Sequence, residues 1–314
     1  MTTKHIPKAT EGTGSSGKVG DRVFSTTAKV SGILILVVLA GVAGFLLLES
    51  MDTFRADPDD IQGGNGFLRY VAPLVFGTVV AAVVALLIAT PLAIGIALFI
   101  SHYAPRRLSQ GLGYLVDLLA AIPSVVFGLW GIQVLAPMVQ PGWDWLADNL
   151  GFIPIFTGPA SATGRTMLTA GVVLAVMILP IITAVTREVF LQAPKLHEEA
   201  ALALGATRWE MIRMAVIPFG RPGIISGVML GLGRALGETM AVAMVLSTGG
   251  FTWSLVQSGN NTIAAEIALD FPESSGLRTS TLIAAGLVLF AITLVVNVAA
   301  RWASARRSEF SGAN

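Results

Sequence analysis

Long apolar stretches, separated by short segments where the charges collect, set the pattern of this chain. Six of them, residues 28–48, 71–100, 112–139, 167–186, 223–246 and 282–300, have the length and character of membrane spans. A hydrocarbon core of ~30 Å takes about 20 helical residues to cross, so each run predicts one spanning helix. A signal peptide is the competing reading of the first run. Its polar leader is long, however, and it ends in Leu-Leu-Leu-Glu-Ser with no small-x-small cleavage site, so it is read as a retained helix. The second run has 30 residues, or about 45 Å of helix, too long for one upright span and too short for two. Pro73 and Pro91 in it predict an interfacial start and a kink.

The segments between the runs give orientation. Residues 1–27 are rich in Gly, Ser, Thr and Lys and read as a disordered tail; residues 28–305 form the membrane domain, and 306–314 a second short tail. Six crossings put both tails on the same side as the loops around 101–111 and 187–222. That side holds 15 of the 20 basic residues, whereas the three opposite loops hold only Arg55, Arg69, Arg165 and Arg278. Basic loops stay inside, so the reading is a multi-pass plasma (inner) membrane protein with both termini cytoplasmic. The outer loops 140–166 and 249–279 carry Trp143, Trp145 and Trp253, which fit interfacial anchors or a landing surface for an external partner.

Composition agrees with the pattern and closes off other classes. Apolar residues make up 54% of the chain and charged ones 12%, against about 25% charged in soluble domains. An ordinary soluble enzyme, a disordered protein and a nucleic-acid binder with its clustered basic face are excluded. With no cysteine there is no disulfide framework, thiolate metal site or cysteine nucleophile. Residues 12–18, Gly-Thr-Gly-Ser-Ser-Gly-Lys, imitate a phosphate-binding loop, but Val19 supplies no hydroxyl for Mg²⁺ and no strand precedes them. Gly231-Leu-Gly-Arg-Ala-Leu-Gly237 misses the dinucleotide spacing by one. Gly227, Gly231, Gly233, Ala235 and Gly237 instead predict close helix packing. His5, His102 and His197 are isolated and predict no metal site, and Asn260-Asn261-Thr262 is a bare glycosylation sequon.

The loop 187–222 carries the most specific local signals. Pro194 suits a first-turn position and Gly205 a helix stop, giving one short helix. Thr207-Arg-Trp-Glu210 is a capping box that starts a second, which runs to about Val216 and halts before Pro218. Trp209, Ile212 and Val216 recur at helical spacing on it. Two readings fit that stripe: a docking face for a partner, or a helix pair lying on the membrane.

Glu199-Ala200-Ala201, three residues, Gly205, nine residues, then Ala215-Val216-Ile217-Pro218 resembles the loop signature of the permease subunits of binding-protein-dependent ABC importers. Ala215 and Ile217 stand where Ile and Leu are commoner. The resemblance spans about residues 70–300 and implies an all-α, type I (MetI-like) core of five helices, here with one N-terminal helix added. It also implies that Glu199, Ala200, Ala201 and Gly205, with Trp209 and Pro218 in the same loop, dock on a separate ATPase subunit.

Three ionisable residues fall inside the predicted spans: Asp117, Arg234 and Glu238. Charge at that depth costs ~2.5 kcal/mol or more, so these side chains should face the interior and be paired. Arg234 and Glu238, four apart, can bridge along one helix face. The pair is either structural, or the guanidinium fork lines the path of a tetrahedral oxyanion. Ile122-Pro-Ser-Val-Val-Phe-Gly-Leu-Trp-Gly131 and Gly231-Leu-Gly-Arg-Ala-Leu-Gly-Glu-Thr-Met-Ala-Val242 are similar to the phosphate-specific members of that importer family. The similarity implies inorganic phosphate as cargo, a pathway through Arg234, Glu238 and Asp117, and a sister permease, an ATPase dimer and an external phosphate-binding protein as partners. ATP and Mg²⁺ would sit on the ATPase, with no cofactor, metal or nucleic acid on this chain. Sulfate or molybdate fits the same guanidinium. A gradient-driven transporter would leave the loop signature unexplained and usually shows an internal repeat, which this chain lacks.

Overall fold

A computed structural model describes residues 16–247 and 249–308, with side chains described for 20–247 and 249–302. Residues 1–15 of the predicted tail, including most of the phosphate-loop imitation, and 309–314 lie outside the described residues. The described chain divides into two units, one ending at Leu48 and the other starting at Glu49.

The described part of the first unit is helical throughout and belongs to α1, Ser16–Glu49, whose last residue opens the second unit. Its apolar side chains, among them Val30, Ile33, Leu36 and Phe45, are exposed, a surface suited to lipid. Residues 16–27, expected to be disordered, are helical here. No proline interrupts them, and extending a nucleated helix is far easier than starting one. The Thr27 hydroxyl also donates to the Val23 carbonyl at 2.9 Å.

The second unit begins with the short α2, Met51–Arg55, and the long α3, Phe67–Leu98. Pro73 and Pro91 lie within α3 without ending it, and a π turn over Phe99–Tyr103 completes the second span. There follow α4, Arg106–Ala120; α5, Ser124–Trp130; and α6, Ala136–Leu150, joined to α5 by a π turn. The third span is therefore Ser124–Leu150, not 112–139. Pro123 lacks an N–H and bars the residue before it from helix, so the apolar run is cut there. What precedes the cut is α4, an amphipathic helix with Leu108, Leu115 and Leu118 exposed.

The centre of this unit is α7, Met167–Leu191, which is far more deeply buried than the last span. Alanines 81, 82, 85, 89 and 93 of α3 are buried in the core it shares with α7, bringing the two backbones close. Next come α8, Lys195–Ala203; α9, Arg208–Met211; and α10, Ile217–Leu236. Gly220, Gly223, Gly227 and Gly231 of α10 face Phe190, Val189, Thr186 and Ile182 of α7, a small-residue stripe of the kind that packs membrane helices. Gly233 and Gly237 meet no neighbouring helix, contrary to expectation. The chain closes with α11, Met240–Val245; α12, Ile263–Asp270; and α13, Leu277–Ser308. Among the described residues the fold is entirely helical, with six helices long and apolar enough to span a membrane.

Candidate functional site

The fifth apolar run is not one helix. It stops at Leu236, is irregular over residues 237–239 and resumes as α11. Gly231, one turn before Arg234, packs against Ile178 and Ile182 in the middle of α7, so the interruption lies at depth. Arg234 is in the last turn of α10, and its Nε is buried with no hydrogen-bond partner. Glu238, only 8% exposed, accepts a hydrogen bond from the Ala241 N–H at 3.1 Å. That bond satisfies one of the free donors at the start of α11 and sets a negative charge against the positive end of its dipole. The expected Arg234–Glu238 bridge is absent: among the described residues no carboxylate lies within 4.0 Å of the guanidinium. The i, i+4 argument fails because the helix ends between the two residues. What remains is a guanidinium at a break inside the membrane domain, with donors to spare.

Two sequence motifs meet here. Gly128 of α5 lies so close to α11 that a Cβ on it would be 2.9 Å from the Ala241 Cα, and Gly131 faces Val245 and Val173. The stretch 122–131 is thus the seat on which the second half of the broken span rests. Asp117 is not part of this arrangement. It is an exposed residue of α4 and shares a pocket of about 220 Å³ with Ser109, Gln110, Tyr114 and Arg187, at the end of the bundle where α7 leads into α8. Its assignment to a span followed the apolar run across Pro123, and falls with it.

Sequence reasoning missed Arg165, counted only as a loop charge. Its Nη2 donates to the carbonyls of Met244 (3.0 Å) and Leu246 (2.5 Å) and its Nε to that of Val245 (3.4 Å). One signal was available: Arg165 immediately precedes Thr166, the N-cap of α7, where a cation is out of place against the helix dipole unless its side chain serves something else.

At the opposite end of the bundle α8 gives way to a turn at Gly205 and α9 starts at the Thr207 cap, as predicted. Gly205 holds φ +87°, where a Cβ is strained. The capping box is complete, with Thr207 N donating to Glu210 Oε2 (2.8 Å) and Glu210 N to Thr207 Oγ1 (3.3 Å). Pro218 does not halt the second helix; it occupies the first turn of α10, which tolerates a missing N–H. A continuous helical path therefore runs Arg208–Leu236. The expected stripe divides: Ile212 and Val216 are buried against Phe190 and Leu98, whereas Trp209 is exposed. Glu199, Ala200 and Gly205 are exposed and Ala201 half-buried. An open groove of about 980 Å³ runs between Ala200, Ala201, Leu204, Met214, Pro218 and Phe219. The imidazole of His102, at the end of the second span, faces α8, with its Nε2 3.6 Å from the Glu198 carboxylate.

The far end is capped by two interlocked loops. Ser161 N donates to Val256 O (2.9 Å), Leu255 N to Ile155 O (2.8 Å) and Gln257 Nε2 to Thr157 O (2.8 Å). Trp143 does more than anchor, since its Nε1 donates to Thr169 Oγ1 at 2.9 Å. Trp145 and Trp253 are exposed, the latter edge-on to Phe76 and Phe251.

Residues 89–309 match the family described as binding-protein-dependent transport system inner membrane component. The phosphate transport system permease protein PstC 2 of Mycobacterium tuberculosis is 47% identical over 299 residues, covering 90% of this chain and 91% of that protein. PstC of Mycobacterium leprae is 45% identical over 300 residues, 91% and 94% of the two chains, and PstC of Mesorhizobium japonicum 40% over 304, 93% and 92%. Among solved structures, a bacterial ABC transporter involved in import of the acidic polysaccharide alginate aligns with a TM-score of 0.60 at 18% identity, covering 92% of this chain and 98% of that one. The same kind of transporter in complex with an alginate-bound periplasmic protein aligns at 0.58.

Proposed function

This chain belongs to the family of binding-protein-dependent transport system inner membrane components, and from that footing we propose that it carries inorganic phosphate past Arg234. It is a multi-pass permease subunit of an ABC importer, not an enzyme, and ATP hydrolysis belongs to a separate subunit. The observation that carries the phosphate reading is likeness over nine-tenths of the chain to phosphate transport permeases at up to 47% identity. The open guanidinium at the break supplies chemistry to match: two parallel N–H donors meet two oxygens of a tetrahedral oxyanion, and a carboxylate four residues on is turned to the backbone instead of neutralising it.

In this reading the chain pairs with a sister permease, and an external phosphate-binding protein lands on the interlocked loops at the far end. Glu199, Ala200, Ala201, Gly205 and Trp209 meet the ATPase dimer, which holds the ATP and Mg²⁺; this chain binds no cofactor. The excess of basic residues on the 187–222 side puts that loop and both termini in the cytoplasm. ATP closes the ATPase dimer, the docked loop moves with it, and the paired permeases open outward to take phosphate from the binding protein. Hydrolysis reverses the movement and phosphate leaves inward past Arg234.

The test is uptake of labelled phosphate into proteoliposomes holding this chain with its co-expressed permease and ATPase, binding protein outside, ATP inside or absent, and excess sulfate as competitor. Uptake that requires ATP and binding protein and ignores sulfate is expected. Arg234→Gln should abolish it while the complex still assembles. Uptake without ATP, uptake blocked by sulfate, or normal uptake by Arg234→Gln each sinks the corresponding part of the reading.

A further inference from the structure

The half-helix beyond the break is held by a residue far from it in sequence. α11 has six residues, so it is too short to persist alone and leaves its last carbonyls without helical partners. In surroundings poor in water such groups need another donor. Arg165 is that donor, reaching the carbonyls of Met244, Val245 and Leu246 together. A guanidinium carries five N–H groups in a fixed fork, and its charge suits the negative end of a helix. The clamp runs both ways, since Ser247 Oγ donates to the Arg165 carbonyl at 3.3 Å.

Arg165 is itself built into a rigid corner. Gly164 before it has φ +68°, and a Cβ there would collide with the Ala136 carbonyl. The Gly164 carbonyl accepts from Thr169 Oγ1 at 2.6 Å, and Thr166 after it caps α7. The clamp therefore joins the fixed start of α7 to the end of α11, while Glu238 holds the other end of α11. A six-residue helix fastened at both termini has little freedom to turn or slide.

We propose that Arg165 is a positioning residue for the anion path. By gripping the C-terminus of α11 it sets the geometry of the interruption at 237–239, and with it the Glu238 carboxylate and the surroundings of Arg234. The inference rests on the reading of Arg234 as the residue phosphate passes.

The chain has no cysteine, so Thr239→Cys places one reporter thiol at the break. In the assembled complex without phosphate, Arg165→Gln should raise its rate of maleimide modification about fivefold or more. Phosphate turnover per assembled complex should fall about tenfold or more while binding-protein-stimulated ATP hydrolysis persists. Arg165→Lys, which keeps the charge but reaches fewer carbonyls, should show both changes at smaller amplitude and secures the test if Arg165→Gln does not assemble. A lower yield of complex with normal turnover and unchanged thiol reactivity would overturn the proposal and leave Arg165 a folding residue. Raised thiol reactivity together with normal uptake by Arg234→Gln would support the clamp on α11 and overturn the role given to Arg234, so the two failures are distinguishable.

Discussion

Glu266, in the first turn of α12, accepts hydrogen bonds from the Asn261 amide (2.7 Å) and the Tyr70 hydroxyl (3.4 Å). Burial raises the pKa of its carboxyl, with the charge of Asp270 adding to the effect and the Asn261 amide and Arg278 opposing it. An acid whose folded pKa is raised binds its proton more tightly when folded, so its contribution favours the fold at low pH. That contribution is lost as pH climbs from the ordinary carboxylate range, about 4.3, through the raised value. The thermal midpoint of the purified complex should fall over that interval, and Glu266→Gln should flatten the decline; an identical pH profile in the variant would contradict the assignment. Legibility in sequence at this scale follows locality. Arg234 and Glu238 stand out as charges in an apolar run, and both prove to be at the break. Their partners do not follow from the sequence: the backbone N–H that Glu238 accepts from is free only because the helix is broken between Leu236 and Met240, and Arg165 is 79 residues from the first carbonyl it clamps.

Short elements whose ends are written in adjacent residues were readable in advance. The Thr207–Glu210 box and the Gly205 stop need only four to ten neighbours to operate, and both have the expected geometry. Gly205→Ala tests the second of these. It has open space around its Cα, so a methyl group meets no clash and the cost, about 1–2 kcal/mol, is that of the left-handed backbone alone. The expected outcome is a complex that assembles and hydrolyses ATP but transports less phosphate per ATP; unchanged coupling would show that the turn between α8 and α9 need not be held in shape. The interrupted elements were not readable. The third and fifth apolar runs each continue in hydropathy through a break in the helix, at Pro123 and at 237–239. Apolarity reports what lipid or core tolerates along a stretch, not whether its hydrogen bonds run on. Asp117 was misplaced for that reason alone.

For the molecule as a whole, the number of spans was legible, because the bilayer imposes its thickness on every residue of a run. The seating of α11 on Gly128 and Gly131 was not, since it joins segments more than a hundred residues apart. Orientation is open to direct test in a chain without cysteine. Ala162→Cys should react with an impermeant maleimide in intact cells and Leu204→Cys only after permeabilisation; the reverse pattern would invert the topology. From Arg208 to Leu236 the backbone is helical for 29 residues without a gap, roughly 40 Å. The path includes a π turn over Ile212–Val216 and a proline, Pro222, inside α10, each a place where a helix can bend. A shift imposed at Trp209 is therefore shared between those two bends and the three-residue gap beside Arg234, where the helix itself ends.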